Sequence, residues 1–438
     1  MKKLLLSFVA AFSIALIAAP AFATNGTNII GVGAISRSMG GTGVAAPQDA
    51  ITAVFGNPAA MCYIPCETSE VDFAATIFKP VVHAKAQTNA TGELTATSQG
   101  APFAFPAIGI YTPITPDLRF GLAAYGVSGL GVDYRGSTLA TVGTTFGAAG
   151  TPPIPDTDIT TQLSIMKFAP NLAYKIMPNL SVGAALQVNW AQLDLGAGSA
   201  HAFGVGTQVG VIYKPIDALS LGVSYQSPQR HTFHNIFNFN PNSMLGVPGF
   251  LPAGSTDSNR DTLTLEQPQQ VVVGVGYEII PNNLLMEVDG KWYNWANAAG
   301  YKDFGWRDQY IIAVGLQEKP MDWLALRVGY NYGNNPVKPH NDWNAFGASS
   351  VQGTPVNTFF YEYLRTIGFP ALVEHHITAG IGINISKKTS LNLGYMHAFG
   401  KKLQESSSTL PVGFGGGTLD LASSLREDSY EFGLNIMF

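Results

Sequence analysis

The chain has 438 residues, 46% hydrophobic and only 12% charged, with 24 Lys and Arg against 29 Asp and Glu and a formal charge of −5. So much apolar residue and so little charge exclude a disordered chain and a coiled coil. The acidic balance and the lack of a basic stripe argue against a nucleic-acid partner.

Lys2 and Lys3, the apolar run Leu4 to Ala19 and the Ala21-Phe22-Ala23 site before Thr24 read as a secretory signal peptide over 1–23. No later run is long and apolar enough for a membrane helix. An exported chain of this kind is periplasmic, secreted or an outer-membrane β-barrel.

Residues 24–66 do not alternate and are rich in glycine, among them Gly26, Gly31, Gly40, Gly41 and Gly43. Pro47 to Phe55 is expected to make one short helix, with Gly56 as its stop. A segment this apolar fits best inside a barrel, as a plug or hatch, leaving 67–438 for the barrel. It is smaller than the plug domains of energy-coupled receptors, so no energy-coupling partner is expected. Cys62 and Cys66, spaced C-x3-C, read as a disulfide closing a small loop at the hatch exit. A metal would want more Cys or His nearby, and neither metal nor cofactor is expected.

Beyond residue 67 the signal is period two. Leu180, Val182, Ala184, Leu186 and Val188 alternate with Ser181, Gly183, Ala185, Gln187 and Asn189; Leu324, Leu326, Val328 and Tyr330 alternate with Ala325, Arg327, Gly329 and Asn331. One face is large and apolar. The other is small and mostly polar, with few charges, which suits a crowded lumen against a lipid-facing wall. A soluble sandwich would carry Lys and Glu there. The segments are 70–78, 104–112, 118–127, 161–176, 179–193, 202–214, 218–229, 262–279, 283–296, 307–318, 322–333, 373–386, 389–402 and 427–438. They number fourteen, an even count as a bacterial barrel requires. The expected fold is all-β: a 14-stranded antiparallel transmembrane barrel holding a small N-terminal hatch.

Six short turns alternate with longer connections, the pattern of short periplasmic turns and long outer loops. Tyr111, Tyr174, Tyr213 and Tyr277 at four of these strand ends, with Trp323, are expected to form an aromatic girdle. The last strand ends on Phe438, a common signal to the barrel-assembly machinery.

Three further features bear on function. Loop 234–255 is apolar for a loop, with Ile236, Phe237, Phe239, Met244, Leu245, Val247, Phe250 and Leu251. Such a patch marks a surface for apolar cargo, or packs on neighbouring loops. The third strand dissolves into glycines at Gly126, Gly129 and Gly131, a kink or simply a glycine-rich strand end. Asn57-Pro58-Ala59 is expected opposite that kink as a gate, or as a plain turn closing the hatch helix.

Several motifs resemble the FadL family of outer-membrane transporters for long-chain fatty acids and other hydrophobic compounds, aromatic hydrocarbons included. They are Arg37-Ser-Met-Gly-Gly-Thr-Gly-Val-Ala45, Asp49-Ala50, Asn57-Pro58-Ala59, Leu263-Thr-Leu-Glu-Gln-Pro268, Tyr293-Asn-Trp295, Gly305-Trp-Arg-Asp-Gln-Tyr310 and Tyr395-Met-His397. The resemblance covers the whole mature chain. It implies a plugged fourteen-stranded barrel, passive transport, and lateral release of cargo into the outer leaflet through a kinked third strand. One departure is the connection between strands five and six, Leu195-Gly-Ala-Gly-Ser-Ala200, which is nearly absent here. In fatty-acid carriers that loop is long and takes part in first capture.

The expected partners are a hydrophobic small-molecule cargo, outer-membrane lipid and lipopolysaccharide, and the assembly machinery, with the protein a monomer. A carboxylate cargo would want a buried cation beside an apolar pocket; Arg37, Lys291 and Arg327 are the candidates. Enzyme motifs are lacking, and a barrel enzyme is the minor alternative. A non-selective porin is the main one, since Lys167, Glu287, Asp289, Lys291, Arg327 and Glu431 all fall on the inward face.

Overall fold

The computed structural model describes residues 25–64, 68–139, 160–195, 198–234, 236 and 262–438. The wall consists of β1 (Glu70–Thr88), β2 (Phe103–Pro113), β3 (Leu118–Asp133), β4 (Thr160–Met177), β5 (Leu180–Asp194), β6 (Ser199–Ile216) and β7 (Leu219–Gln226). It continues with β8 (Gln270–Ile280), β9 (Leu284–Tyr293), β10 (Gln309–Met321), β11 (Leu324–Gly333), β12 (His375–Ser386), β13 (Thr389–Ser407) and β14 (Asp420–Met437). Each strand pairs antiparallel with the next, and β14 returns to β1 from Met437 opposite Glu70 to Asp420 opposite Gln87. The sheet is therefore a closed barrel of fourteen strands. Closure satisfies the strand edges, which lipid cannot do.

The alternation read from the sequence is the inside–outside alternation of this wall. Leu186, Val209, Val223, Val275, Ile312 and Val328 are exposed on the outside, whereas Gln187, Gln208, Ser224, Asp289, Gln317 and Arg327 are buried within. Of the expected girdle, Tyr174, Tyr213, Tyr277 and Trp323 do face outward. Tyr111 does not: it is buried, and its hydroxyl accepts a hydrogen bond from Arg119 Nε at 3.1 Å. His375 and His376 point to opposite faces, the first exposed and the second buried.

Two expected strands are broken. The seventh stops at Gln226 and resumes as Gln229–His234; the eighth begins as Thr262–Gln267 and resumes as β8. Pro228 and Pro268 stand in the breaks, where neither can donate to a ladder. The two upper pieces pair with each other, Phe233 opposite Leu263, and bury Phe233, Leu263 and Leu265.

Residues 25–64 lie inside the barrel. They contain α1 (Ala34–Ser38), α2 (Ala50–Gly56) and a 3-10 turn over Pro58–Cys62. The expected helix is thus shorter, starting at Ala50. Asp49 caps it by accepting from Thr52 N–H at 2.8 Å. Gly56 belongs to its last turn and is not its stop. The wall glycines opposite this segment exist for close approach: a Cβ at Gly210 would lie 1.9 Å from Asn57 Oδ1, and one at Gly329 would lie 2.1 Å from the Gly40 nitrogen.

Candidate functional site: a pocket behind an opening in the wall

The inward charges hold the N-terminal segment in place. Arg37 Nε meets Glu431 Oε1 at 2.6 Å, with both side chains fully buried. Lys291 Nζ donates to the carbonyls of Gly41 at 2.6 Å and Ile30 at 3.2 Å. Arg327 donates to Gln317 at 2.6 Å and Asn392 at 2.8 Å. Glu287 accepts from the Ala45 and Ala46 N–H groups at 2.7 and 2.9 Å, and Asp289 from Gly43 N–H at 3.1 Å. The three cations expected to receive a cargo carboxylate are therefore engaged with the hatch and the wall. None of them lines the apolar pocket described below.

The Asn57-Pro58-Ala59 motif is also not where it was expected. Asn57 Nδ2 points at the carbonyls of Val44, Val211 and Val223, at 2.9, 3.0 and 3.3 Å. Ser181 Oγ donates to the Ala59 carbonyl at 2.8 Å. The motif thus seats the hatch on β5, β6 and β7, away from the kink of β3. Asn57 still satisfies backbone carbonyls, as an amide in a buried turn must. Cys62 is a free, buried thiol among the described residues, and the expected bond to Cys66 falls on a residue outside them. Burial pushes that thiol up to about 11.

The third strand does not dissolve. It runs on to Asp133, with a register shift between Gly126 and Ser128 that leaves Val127 as a bulge. Gly131 is small for a different reason from the kink: a Cβ there would lie 2.2 Å from the Thr161 carbonyl oxygen on β4. The β2–β3 ladder ends where Ala107 faces Tyr125. The two sides meet again at the top, where Gln99 N–H donates to the Asp133 carbonyl at 2.8 Å. Between these points the free edge of β3 is met from inside the barrel. Ile29 N–H donates to the Val127 carbonyl at 3.2 Å, Gly129 N–H donates to the Thr27 carbonyl at 3.0 Å, and Ser128 Oγ donates to the same carbonyl at 2.7 Å. The missing neighbour of the wall is thus supplied by residues 27–29. Phe105 of β2 lies alongside, its ring edge 3.3 Å from where a Cβ of Gly126 would be.

An apolar pocket lies directly behind this opening. Thr27, Leu130, Leu163, Leu193, Leu263 and Leu265 line it, with Tyr301, Phe304, Trp306, Leu364 and Phe369 above. It encloses about 500 Å³ of non-atom space, part of it open to solvent. Tyr301, Trp306 and Trp295 form one aromatic cluster with ring centroids 4.5 to 5.1 Å apart. Among the described residues, the one charged member of its lining is Arg365. That guanidinium is buried and bonds Glu362 at 3.0 Å, the Lys338 carbonyl at 2.6 Å and Glu405. Burial raises the Glu362 carboxyl, but the hydrogen bond from His340 and the charge of Arg365 outweigh it and hold the group below its usual 4.5.

Sequence reasoning missed Arg365 and the 358–369 segment, since neither alternates nor carries a motif. Of the eight residues expected to capture cargo, Ile236 is described and fully buried; the other seven lie outside the described residues. Among the described residues, no group of three or more His, Cys, Asp or Glu is placed to hold a metal.

A closed barrel of fourteen strands, filled by its own N-terminal segment and open at one wall strand, defines a plugged membrane channel. The family profile described as "Outer membrane protein transport protein (OMPP1/FadL/TodX)" matches residues 9–203 and 198–344. The chain belongs to this family and is an outer-membrane β-barrel. The toluene transporter TodX of Pseudomonas putida is 18% identical in sequence, with a TM-score of 0.64 over 93% of this chain and 99% of that one. A FadL homologue of Pseudomonas aeruginosa is 15% identical, with a TM-score of 0.68 over 94% and 100%. The toluene transporter TbuX of Ralstonia pickettii is 15% identical, with a TM-score of 0.60 over 93% and 98%. These likenesses show a shared fold. A curated protein of Chlorobium limicola, described as uncharacterized and placed 5′ of a phosphoenolpyruvate carboxykinase gene, is 50% identical over 56 residues. The chain spans 27% of that protein's length and matches it over 13% of its own.

Proposed function

We propose that the protein carries neutral hydrophobic small molecules across the outer membrane without catalysis. Cargo enters from the outer loops, rests in the pocket around Leu130, Leu163 and Trp306, and leaves sideways between β2 and β3. The observation that carries this reading is the adjacency of the pocket to the wall opening, with Thr27 belonging to both. Sideways exit keeps the cargo apolar on every side; release into water would cost about 25 cal/mol for each Å² of apolar surface exposed. The toluene transporters of the same fold are consistent with such a cargo.

Arg365 favours a neutral cargo over a carboxylate. Its charge is already met by Glu362 and Glu405, so a fatty-acid headgroup would have to displace a paired buried carboxylate. That exchange is costly. Outer-membrane lipopolysaccharide is the surrounding barrier, and the assembly machinery acts only in biogenesis. A monomer suffices, since one chain closes the barrel.

The test is uptake of radiolabelled toluene and of a radiolabelled long-chain fatty acid by cells with and without the protein. Faster toluene uptake with no change for the fatty acid supports the proposal. Accelerated fatty-acid uptake alone would overturn the neutral-cargo reading. Acceleration of neither, with large steady conductance steps in a planar bilayer, would make it a porin.

A further inference from the structure

The outer face where β13, β14 and β1 meet departs from the rest of the lipid-facing wall. Its lower part is ordinary: Ile77, Tyr395, Tyr430 and Phe432 are exposed, and the Tyr395 and Tyr430 rings lie 5.5 Å apart. Directly above them the outward positions turn basic. Lys79 on β1, Arg426 on β14 and Lys402 on β13 are all exposed. The register fixes their spacing. Lys79 stands opposite Asp428 and Arg426 opposite Val81, while Lys402 and His83 both stand opposite Ser424. Arg426 is therefore the diagonal neighbour of both Lys79 and Lys402. Diagonal positions are about 7–8 Å apart, within reach of long side chains.

Little among the described residues neutralises this group. Asp428 is the one acid in these rows, and it already accepts from Tyr395 at 2.7 Å and faces His397 Nδ1 at 2.8 Å. Lys402 bonds a neutral acceptor, Gln404, at 2.9 Å. Three cations against one carboxylate leave a local charge of 3 − 1 = +2. The height is also informative. Lys79 is nine residues above Glu70 at the periplasmic end of β1. At about 3.3 Å per residue that is roughly 30 Å along the strand. Allowing for a tilt of about 40°, this is close to the top of a lipid band some 25 Å tall.

We propose that Lys79, Arg426 and Lys402 form a binding site for the phosphates of lipid A, the glycolipid of the outer leaflet, with its acyl chains lying on Ile77, Tyr430 and Phe432. A phosphate has the charge these cations lack, and Arg offers it a bidentate fork. The aromatic residues below suit the boundary between chain and headgroup. The site depends on the outer-membrane location and not on what the lumen carries.

The test uses the full protein folded into phosphatidylcholine vesicles containing bisphosphorylated lipid A, then extracted for native mass spectrometry. Wild type is expected to retain one lipid A. The Lys79→Gln/Arg426→Gln/Lys402→Gln variant is expected to bind it about tenfold more weakly, and wild type to lose it equally when lipid A is replaced by its dephosphorylated form. Heat-modifiable migration on gels reports folding; if the triple variant fails it, Lys79→Gln and Arg426→Gln singly take its place. Equal retention by wild type and variants would overturn the proposal. So would equal retention of phosphatidylglycerol in place of lipid A, since attraction to any anionic lipid needs no built site.

Discussion

The backbone N–H of Ile29 donates to the carbonyl of Val127 at 3.2 Å, across the place where β3 has lost its wall neighbour. A hatch residue thus completes a wall ladder. The same short stretch is loosely held on its other side: Asn28 Oδ1 and both polar atoms of the Asn25 side chain are buried with no hydrogen-bond partner in the structure. Residues 25–29 therefore join the wall through backbone bonds while leaving buried side-chain amides unsatisfied.

Gly126→Val tests the opening. The new side chain would press on Phe105, 3.3 Å from the added Cβ, and wedge it into the gap. Overpacking of this kind costs about 1–3 kcal/mol, which a closed barrel can absorb. Uptake of toluene is expected to fall roughly tenfold, the factor that about 1.4 kcal/mol represents, with heat-modifiable migration unchanged. A folded variant that transports at the wild-type rate would rule out the lateral route.

The ion pair between Arg37 and Glu431 gives a second prediction. Arg37→Met leaves Glu431 buried and uncompensated, and breaking such a pair costs about 3–5 kcal/mol. The loss falls on the seat of the hatch. The variant is expected to show raised ion conductance in a planar bilayer and a lower denaturation midpoint. Adding Glu431→Gln should recover much of both, because the stranded charge is then gone. No recovery in the double variant would mean that the pair is not what holds the hatch.

The barrel was legible because its code is local. Leu186 against Gln187, or Val328 against Arg327, states a face within two residues, and a period of two is robust over a whole strand. The small inward residues were legible as a lumen, but their reason was not. Gly210 and Gly329 are small because Asn57 and Gly40 approach them from 153 and 289 residues away in sequence, and no local pattern records that. Asn57-Pro58-Ala59 was misplaced for the same cause. The motif shows that a buried amide must find carbonyls, not which strands supply them. Pro228 and Pro268 did carry a local signal for the breaks in the two strands, since neither can donate to a ladder.

The 358–368 segment, which caps the apolar pocket with Leu364, has a pH dependence with a defined sign. The folded-state carboxyl of Glu362 lies below its usual 4.5, so its contribution to stability is fully present above that value. It is lost as pH falls through the lowered folded value. Hydrogen exchange over 358–368 is expected to be slow at neutral pH and to accelerate as pH falls through the lowered Glu362 value, ahead of the barrel strands. Protection that stays constant down to the point where the barrel itself unfolds would show that the Glu362 contacts do not hold the cap.

The same residue offers a way to change the cargo. Arg365 borders the apolar pocket with its charge divided between Glu362 and Glu405. Glu362→Gln keeps the shape and a hydrogen-bond acceptor but removes one of the two negative charges. One side of the guanidinium then loses its carboxylate partner beside Leu364 and Phe369, and the group of Arg365, Glu362 and Glu405 goes from net negative to neutral, which lowers the barrier to a carboxylate ligand. A long-chain fatty acid should now be retained, and its affinity should rise by about tenfold, the factor that roughly 1.4 kcal/mol represents. A neutral hydrocarbon, which never met the charge, should bind as before. Binding can be read by tryptophan fluorescence, because Trp306 lines the pocket. If fatty-acid affinity does not change while the variant remains folded, Arg365 does not govern the choice between neutral and acidic cargo. If wild type already binds the fatty acid as tightly as the variant, the paired guanidinium is no barrier and the neutral-cargo reading fails.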